Sequence, residues 1–262
     1  MVMLETLKRY LGNGWVEADE TWTYVSTDDP TGVFKVNADV TGKYSVGMRI
    51  KMTNGGNTIH GIITKMGTYE GDEAGYTYIT FLHEIDPADN LALHLMANSA
   101  ITNNYYSTQK APFGFPLDIT KWRIMITSGA DDKQTNPTSG TYYNLGSLAI
   151  TVPIGVWKVM YMTCFEMKAS NSVSLIYGRA TLGSTTSNSL DRFENYSVAS
   201  SGSAGALQHT LPVMRQSTEV LTTKTTYYMN AVANITLGKT GYISFTGLSA
   251  GDTVLCAECL LI

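Results

Sequence analysis

The sequence predicts an all-β protein: a short amino-terminal helix, a small β-barrel or sandwich, then a jelly-roll β-sandwich. Three observations carry this. Short runs that alternate apolar and polar residues recur along the chain, with Gly, Pro, Asn and Asp clustered between them. That period of two belongs to half-buried strands joined by tight turns. Hydrophobic residues make up 44% and charged residues only 15% of the 262, so a sizeable core can form and disorder is not expected. Helical spacing of apolar residues is confined to the amino terminus, where Met3, Leu4, Leu7, Tyr10 and Leu11 form one stripe.

That stripe defines the first part, a helix and anchor over residues 1–13, ended by Gly12 and Gly14. A helix shorter than about 12 residues is marginal in water, so it must dock on its own domain or on a partner. The second part, residues 14–116, has strand candidates at 21–25, 32–36, 49–53, 58–65 and 76–82. In the third of these Met48, Ile50 and Met52 share one face while Arg49, Lys51 and Thr53 share the other. Turns fall at 28–32, where Pro30 fixes φ, at 54–57, where two glycines supply positive φ, and at the acidic 71–75. Over residues 91–96 the alternation fades, and strand and short helix fit equally. Residues 99–107 lead to Pro112-Phe113-Gly114-Phe115-Pro116, an extended, rigid segment that ends the second part.

The third part, residues 117–262, is richer in strands: 122–127, 147–152, 155–168, 172–182, 213–221, 225–235, 242–246 and 253–262. Eight strands in two sheets of four is the jelly-roll count. A polar loop is expected at 128–140. Residues 155–168 are apolar on both faces, as in a central strand or one buried between subunits. Leu260, Leu261 and Ile262 are too apolar for a loose tail and belong in a sheet or an interface.

Charge and length exclude several function classes. The net charge is −4 with no basic cluster, so nothing neutralises a phosphate backbone and no nucleic-acid partner is expected. No apolar run approaches the roughly 18 residues of a membrane span, so no membrane insertion is expected. The amino terminus lacks the basic, apolar and small-residue succession of a signal peptide. The three cysteines, Cys164, Cys256 and Cys259, make no disulfide framework. Folding in a cytoplasm is the expectation.

The succession Gly14-Trp15, Glu20-Thr21-Trp22-Thr23-Tyr24, Asp39-Val40-Thr41-Gly42-Lys43-Tyr44, Gly47-Met48-Arg49-Ile50-Lys51, residues 98–107 and Pro112-Phe113-Gly114-Phe115-Pro116 resembles a module of tailed-bacteriophage virion proteins. That module occurs in tail, baseplate, neck and head-fibre proteins. The chain departs from it at Leu117-Asp118, where an aromatic pair would follow, and in the acidic residues 69–74. Gly155-Val156-Trp157, Tyr227-Tyr228-Met229-Asn230-Ala231 and Leu248-Ser249-Ala250-Gly251-Asp252-Thr253-Val254 resemble the trimeric jelly-roll heads of the tumour-necrosis-factor and complement-head type. The resemblances imply a fibre, spike or decoration protein of a virion, assembled in a host bacterial cytoplasm. Its partners would be itself, as a homotrimer, and other virion proteins. Met3, Leu4, Leu7, Tyr10, Leu11 and Trp15 are then anchoring candidates. Leu255, Leu260 and Ile262, on the last strand beside a threefold axis, are trimer-interface candidates.

No residue pattern carries catalysis. Cys256 and Cys259 are three apart, which on a strand puts them on opposite faces, so buried packing is the expected role and zinc is not. His60, His83, His94 and His209 are scattered and read as structural or surface residues. The acidic pairs Asp28-Asp29, Asp72-Glu73, Asp86 with Asp89, and Asp131-Asp132 lie in turns, where carboxylates commonly bond the local backbone. The alternatives weighed for them are an ion site and a polysaccharide-cleaving pair. No cofactor or metal is expected, and the protein reads as a non-enzyme. The competing readings are a virion enzyme that degrades host polysaccharide and a purely architectural neck or head protein. Host-surface glycan is a candidate ligand, sited in the loops around 128–143 and 184–195 with Asp131, Asp132, Tyr142, Tyr143 and Asn188 as the contact candidates, because tyrosines offer flat faces with polar tips.

Overall fold

The computed structural model describes residues 13–69, 75–129, 132–169, 175–197, 207–235, 241–246 and 253–262. The expected helix, with Met3, Leu4, Leu7, Tyr10 and Leu11, lies outside the described residues, as do Asp131, nearly all of the acidic turn and the Gly251-Asp252 turn. Of the described residues 60% are strand and 3% helical, the latter as 3-10 turns at Ile119–Trp122 and Asp191–Phe193. The protein is all-β.

The first sheet contains β1 (Val16–Glu17), β2 (Trp22–Asp28), β3 (Thr31–Val36), β4 (Arg49–Asn54), β5 (Asn57–Met66), β6 (Thr77–His83) and β7 (Ile101–Ser107). Their order is β1-β7-β4-β5-β6-β3-β2, antiparallel throughout. Alternation decides which side chains line its concave face: Ile50 and Met52 are fully buried while Lys51 and Thr53 are not. Trp22 stacks on Phe34 at 4.4 Å, and Tyr44, Ile59, Ile63, Ile79 and Phe81 complete this core. Gly55 and Gly56 take φ of +58° and +83° between paired Asn54 and Asn57, which is the two-residue hairpin that twisted strands favour. Residues 91–96 form no strand beyond a single bridge from Ala92 to Ile85. The segment is held by side chains instead. Asn54 accepts from the Ala97 amide at 2.8 Å and donates to backbone oxygens of Ala97, Ser99 and Ala100.

The remaining strands are β8 (Arg123–Ser128), β9 (Asp132–Thr135), β10 (Tyr142–Val152), β11 (Gly155–Ala169), β12 (Leu175–Gly183), β13 (Asn195–Ser197), β14 (Leu207–Leu221), β15 (Thr225–Ile235), β16 (Gly241–Thr246) and β17 (Thr253–Cys259). One sheet runs β10-β15-β12-β13. The other is built on β11, which pairs with β14 along its full length on one side. On its other side β17 takes residues 157–162 and β16 takes 164–169, leading outward to β8 and β9. β11 is therefore a central strand, with Trp157, Val159, Tyr161, Phe165 and Met167 all inside the core shared by the two sheets.

Two of these strands were not expected. β9 lies in the segment read as a polar loop, and β13 follows the second 3-10 turn. Both are short and polar on both faces, so they carry no period-two signal. They form because a neighbouring strand offers its backbone hydrogen bonds. The last strand ends at Cys259 rather than at residue 262, because the chain turns there, with the Leu260 amide donating to Val156 O at 2.8 Å.

The two halves share one core. Trp15, Ile62, Leu82, Ile85 and Phe115 cluster with Trp122, Ile124, Val152 and Trp157, and Phe115 stacks on Trp122 at 5.2 Å. Arg49, 1% exposed, donates to Gly47 O at 2.6 Å, Leu261 O at 2.8 Å and Lys110 O at 3.1 Å, with its guanidinium over the Phe115 ring. Burial pulls its pKa below the ordinary value.

Candidate functional site

A polar depression on the described surface grows from the connection between β12 and β13. The chain leaves β12, closes back with the Leu190 amide on Leu182 O, makes the Asp191–Phe193 turn and pairs again with β12 as β13. This places Glu194 beside Arg179. The two Glu194 carboxylate oxygens accept from Arg179 Nη1 at 2.9 and 3.0 Å, and Oε1 also accepts from Ser189 Oγ at 2.6 Å and Tyr142 OH at 3.4 Å. The Arg179 guanidinium lies 5.2 Å from the Tyr177 ring centroid and 5.8 Å from that of Tyr142.

A second pair stands behind it. Arg192 donates from Nε and Nη2 to the two oxygens of Glu219 at 2.7 and 2.9 Å, and Tyr227 OH adds a bond at 3.2 Å. Burial, and next the Glu219 charge, push the Tyr227 hydroxyl up to about 12. Two further bonds tie β13 and the turn to β14: Asn195 Nδ2 to Met214 O and Arg215 Nε to Arg192 O, both at 3.1 Å. The result is a cleft of about 720 Å³ lined by Arg179, Asp191, Glu194, Asn195 and Arg215, set where the edge strand of one sheet meets the edge strand of the other.

Of the expected glycan contacts, Tyr142 reaches this cluster through Glu194. Asn188 lies next to it but is spent on its own loop, accepting from the Thr185 amide and donating to Ser184 Oγ. The Tyr143 hydroxyl accepts from the Thr138 amide at 2.9 Å, and Asp132 packs against Gly146. Sequence reasoning singled out none of Arg179, Asp191, Glu194 and Arg215, although the 184–195 loop it favoured for a glycan site holds Asp191 and Glu194. One signal was available: Asp191, Arg192 and Glu194 are charged within four residues of a chain that is only 15% charged.

A second feature is the outward face of the β14-β11-β17-β8 sheet. Register places Met214, Met162, Val254 and Thr127 in one row and Gln216, Met160, Cys256 and Met125 in the next. Met162 is 43%, Met214 60% and Val220 72% exposed. The row beyond is charged, with Lys158 paired to Glu258 and Arg123 alongside. Of the interface candidates, Leu260 is exposed and Ile262 half-buried, while Leu255 faces the other way, into the protomer core. Trp15, an anchoring candidate, is likewise sealed inside its own chain, donating from Nε1 to Phe113 O at 2.8 Å.

Of the described turn carboxylates, Asp86 and Asp89 bond the local backbone, while Asp28 and Asp29 bond residues far along the chain. Asp86 and Asp89 accept from the amides of Ala88 and Leu91, Asp29 accepts from Ala92, and Asp28 pairs with Lys224. Cys256 faces outward and Cys259 inward, both buried and free, and burial raises each thiol to about 11. His83 is enclosed, and among the described residues no three His, Cys, Asp or Glu side chains gather as a metal set. No described helix is long and apolar enough to cross a membrane.

No family model and no curated protein matches the chain. Solved structures match weakly. Dimeric latent PorU from Porphyromonas gingivalis aligns over 94% of this chain and 24% of its own, at 10% identity and a TM-score of 0.25. Infectious bursal disease virus, Gx strain, aligns over 91% and 59%, at 10% identity and a TM-score of 0.26. The VP2 subviral particle of the same virus aligns over 97% and 84%, at 10% identity and a TM-score of 0.19. The chain thus spans about a quarter of the first and under two thirds of the second. No functional assignment follows from likeness this low.

Proposed function

We propose that this chain is a non-enzymatic structural component of a virus particle, of the tailed-phage kind that residues 14–116 resemble, acting as a homotrimeric fibre, spike or decoration protein. The observation that carries the reading is the outward face of the β14-β11-β17-β8 sheet. Met162 and Met214, 43% and 60% exposed and paired across β11 and β14, with Val254 beside Met162, make an apolar surface of the kind that marks protein–protein contact. It belongs to the sheet that contains the last strand, where trimeric jelly-roll heads place their axis. The jelly-roll reading of residues 117–262 is part of the same proposal. The first sheet and the amino-terminal segment would face the particle, and the β12–β13 end would face a host surface, with the chain located in the virion.

Sedimentation or light scattering of the purified protein tests this. A trimer of the 28.6 kDa chain is expected, and Met162→Glu with Met214→Glu should dissociate it to monomers that keep their β spectrum. A wild-type protein that stays monomeric at micromolar concentration would remove the reading.

A further inference from the structure

We infer that the cleft between β13 and β14 binds a neutral, polyhydroxylated saccharide through Asp191 and Arg215, an assignment that rests on the host-contact part of the reading above. Of the charged groups in and behind the cleft, two pairs are internally committed: Arg179 to Glu194 and Arg192 to Glu219. What remains is one carboxylate and one guanidinium. Asp191 is exposed and its carboxylate is hydrogen-bonded to no described residue. Arg215 is held at Nε by Arg192 O, and its two terminal amino groups are bonded to no described residue.

The lining charges of Arg179 and Arg215 balance those of Asp191 and Glu194, so the cleft has no excess field to attract a charged ligand. It offers instead an acceptor and a donor on one cavity wall. A carboxylate only accepts and a guanidinium only donates. Hydroxyl groups do both, and neighbouring hydroxyls of a sugar ring satisfy such a pair at once. Asn195 has its Nδ2 engaged with Met214 O, which orients its free Oδ1 as a further acceptor. The volume of about 720 Å³ lies within the range of about 300–1,000 Å³ usual for small-ligand sites. The bonds behind the site fix Arg215 and Glu194 in advance, which lowers the ordering cost of binding.

The test is calorimetric titration of the intact protein with neutral oligosaccharides of glucose, galactose and N-acetylglucosamine, with a polygalacturonate oligomer as the anionic comparison. Saturable binding of at least one neutral sugar is expected. Asp191→Ala and Arg215→Ala should each weaken it roughly 10-fold or more, as for loss of a hydrogen bond to a charged group. Asp191→Asn should retain more binding than Asp191→Ala. Asp191 is exposed and holds no described residue, so Asp191→Ala should leave the melting temperature unchanged, while Arg215→Ala, which also loses the bond to Arg192 O, is titrated well below its own melting temperature. The assignment fails if no neutral sugar binds, if either alanine variant binds as wild type, or if the anionic oligomer binds tightest and is released by salt. A trimer that binds none of these sugars defeats the site and leaves the structural reading standing. Sugar binding by a monomeric chain does the reverse.

Discussion

His83 shows how one side chain ties local geometry to solution behaviour. Its Nδ1–H donates to Pro30 O at 3.0 Å and its Nε2 accepts from the Met96 amide at 3.1 Å, so the ring is neutral and its tautomer fixed. Burial lowers its pKa from 6.5 to about 4, outweighing the Pro30 bond. The folded state therefore binds a proton less readily than the unfolded chain. Its contribution is complete above about pH 6.5 and is lost as pH falls toward 4, at about 1.4 kcal/mol per pH unit and roughly 3 kcal/mol in all. Urea titrations of wild type and His83→Gln between pH 7 and 4 should show a steeper loss in the wild type. Parallel curves would mean that His83 does not titrate in that window. The sequence left His83 as a structural or surface residue, just past the strand expected at 76–82, and its burial makes it structural. Its partners could not be read, because Pro30 and Met96 come from loops on either side.

Elements bounded by strong turn chemistry were the most legible. β15 runs over 225–235 as the alternation predicts, and the Gly55-Gly56 hairpin sits where positive φ was called for. β9 and β13 were hidden because polar edge strands depend on a partner rather than on their own pattern. Within the first sheet the tightest position is Gly61 on β5. A Cβ there would lie 2.5 Å from Phe81 Cδ2, 3.0 Å from Leu82 O and 3.2 Å from Ile50 Cγ1. Backbone and a buried ring cannot both retreat, so Gly61→Ala should destabilise by roughly 1–3 kcal/mol. Gly42→Ala, which meets nothing within 4 Å, serves as the control. Equal denaturation midpoints for the two would contradict the packing described. The cleft was illegible for a related reason: its lining comes from β12, a 3-10 turn, β13 and β14, and only pairing brings these together.

At the scale of the molecule, the two halves should unfold together. Their aromatic side chains share one core, and Arg49 closes the seam with three carbonyl oxygens rather than a carboxylate. One calorimetric transition is expected, and two resolved transitions would show the halves to be independent. Arg49→Ala removes the guanidinium donors from Gly47 O, Lys110 O and Leu261 O and should cost on the order of 3 kcal/mol, read from the urea midpoint. The sequence placed Arg49 on the polar face of its strand, and that was right. What it could not show is that the second half covers that face.

The bond from Arg49 to Leu261 O spans 212 positions, and this has a bearing on how the protein is made. At elongation rates of roughly 5–20 residues per second, Arg49 is synthesised some 10–40 seconds before the carbonyl it binds. The first sheet thus leaves the ribosome with a cation whose cover arrives only with the segment around residue 261, so the two halves reach their final form together.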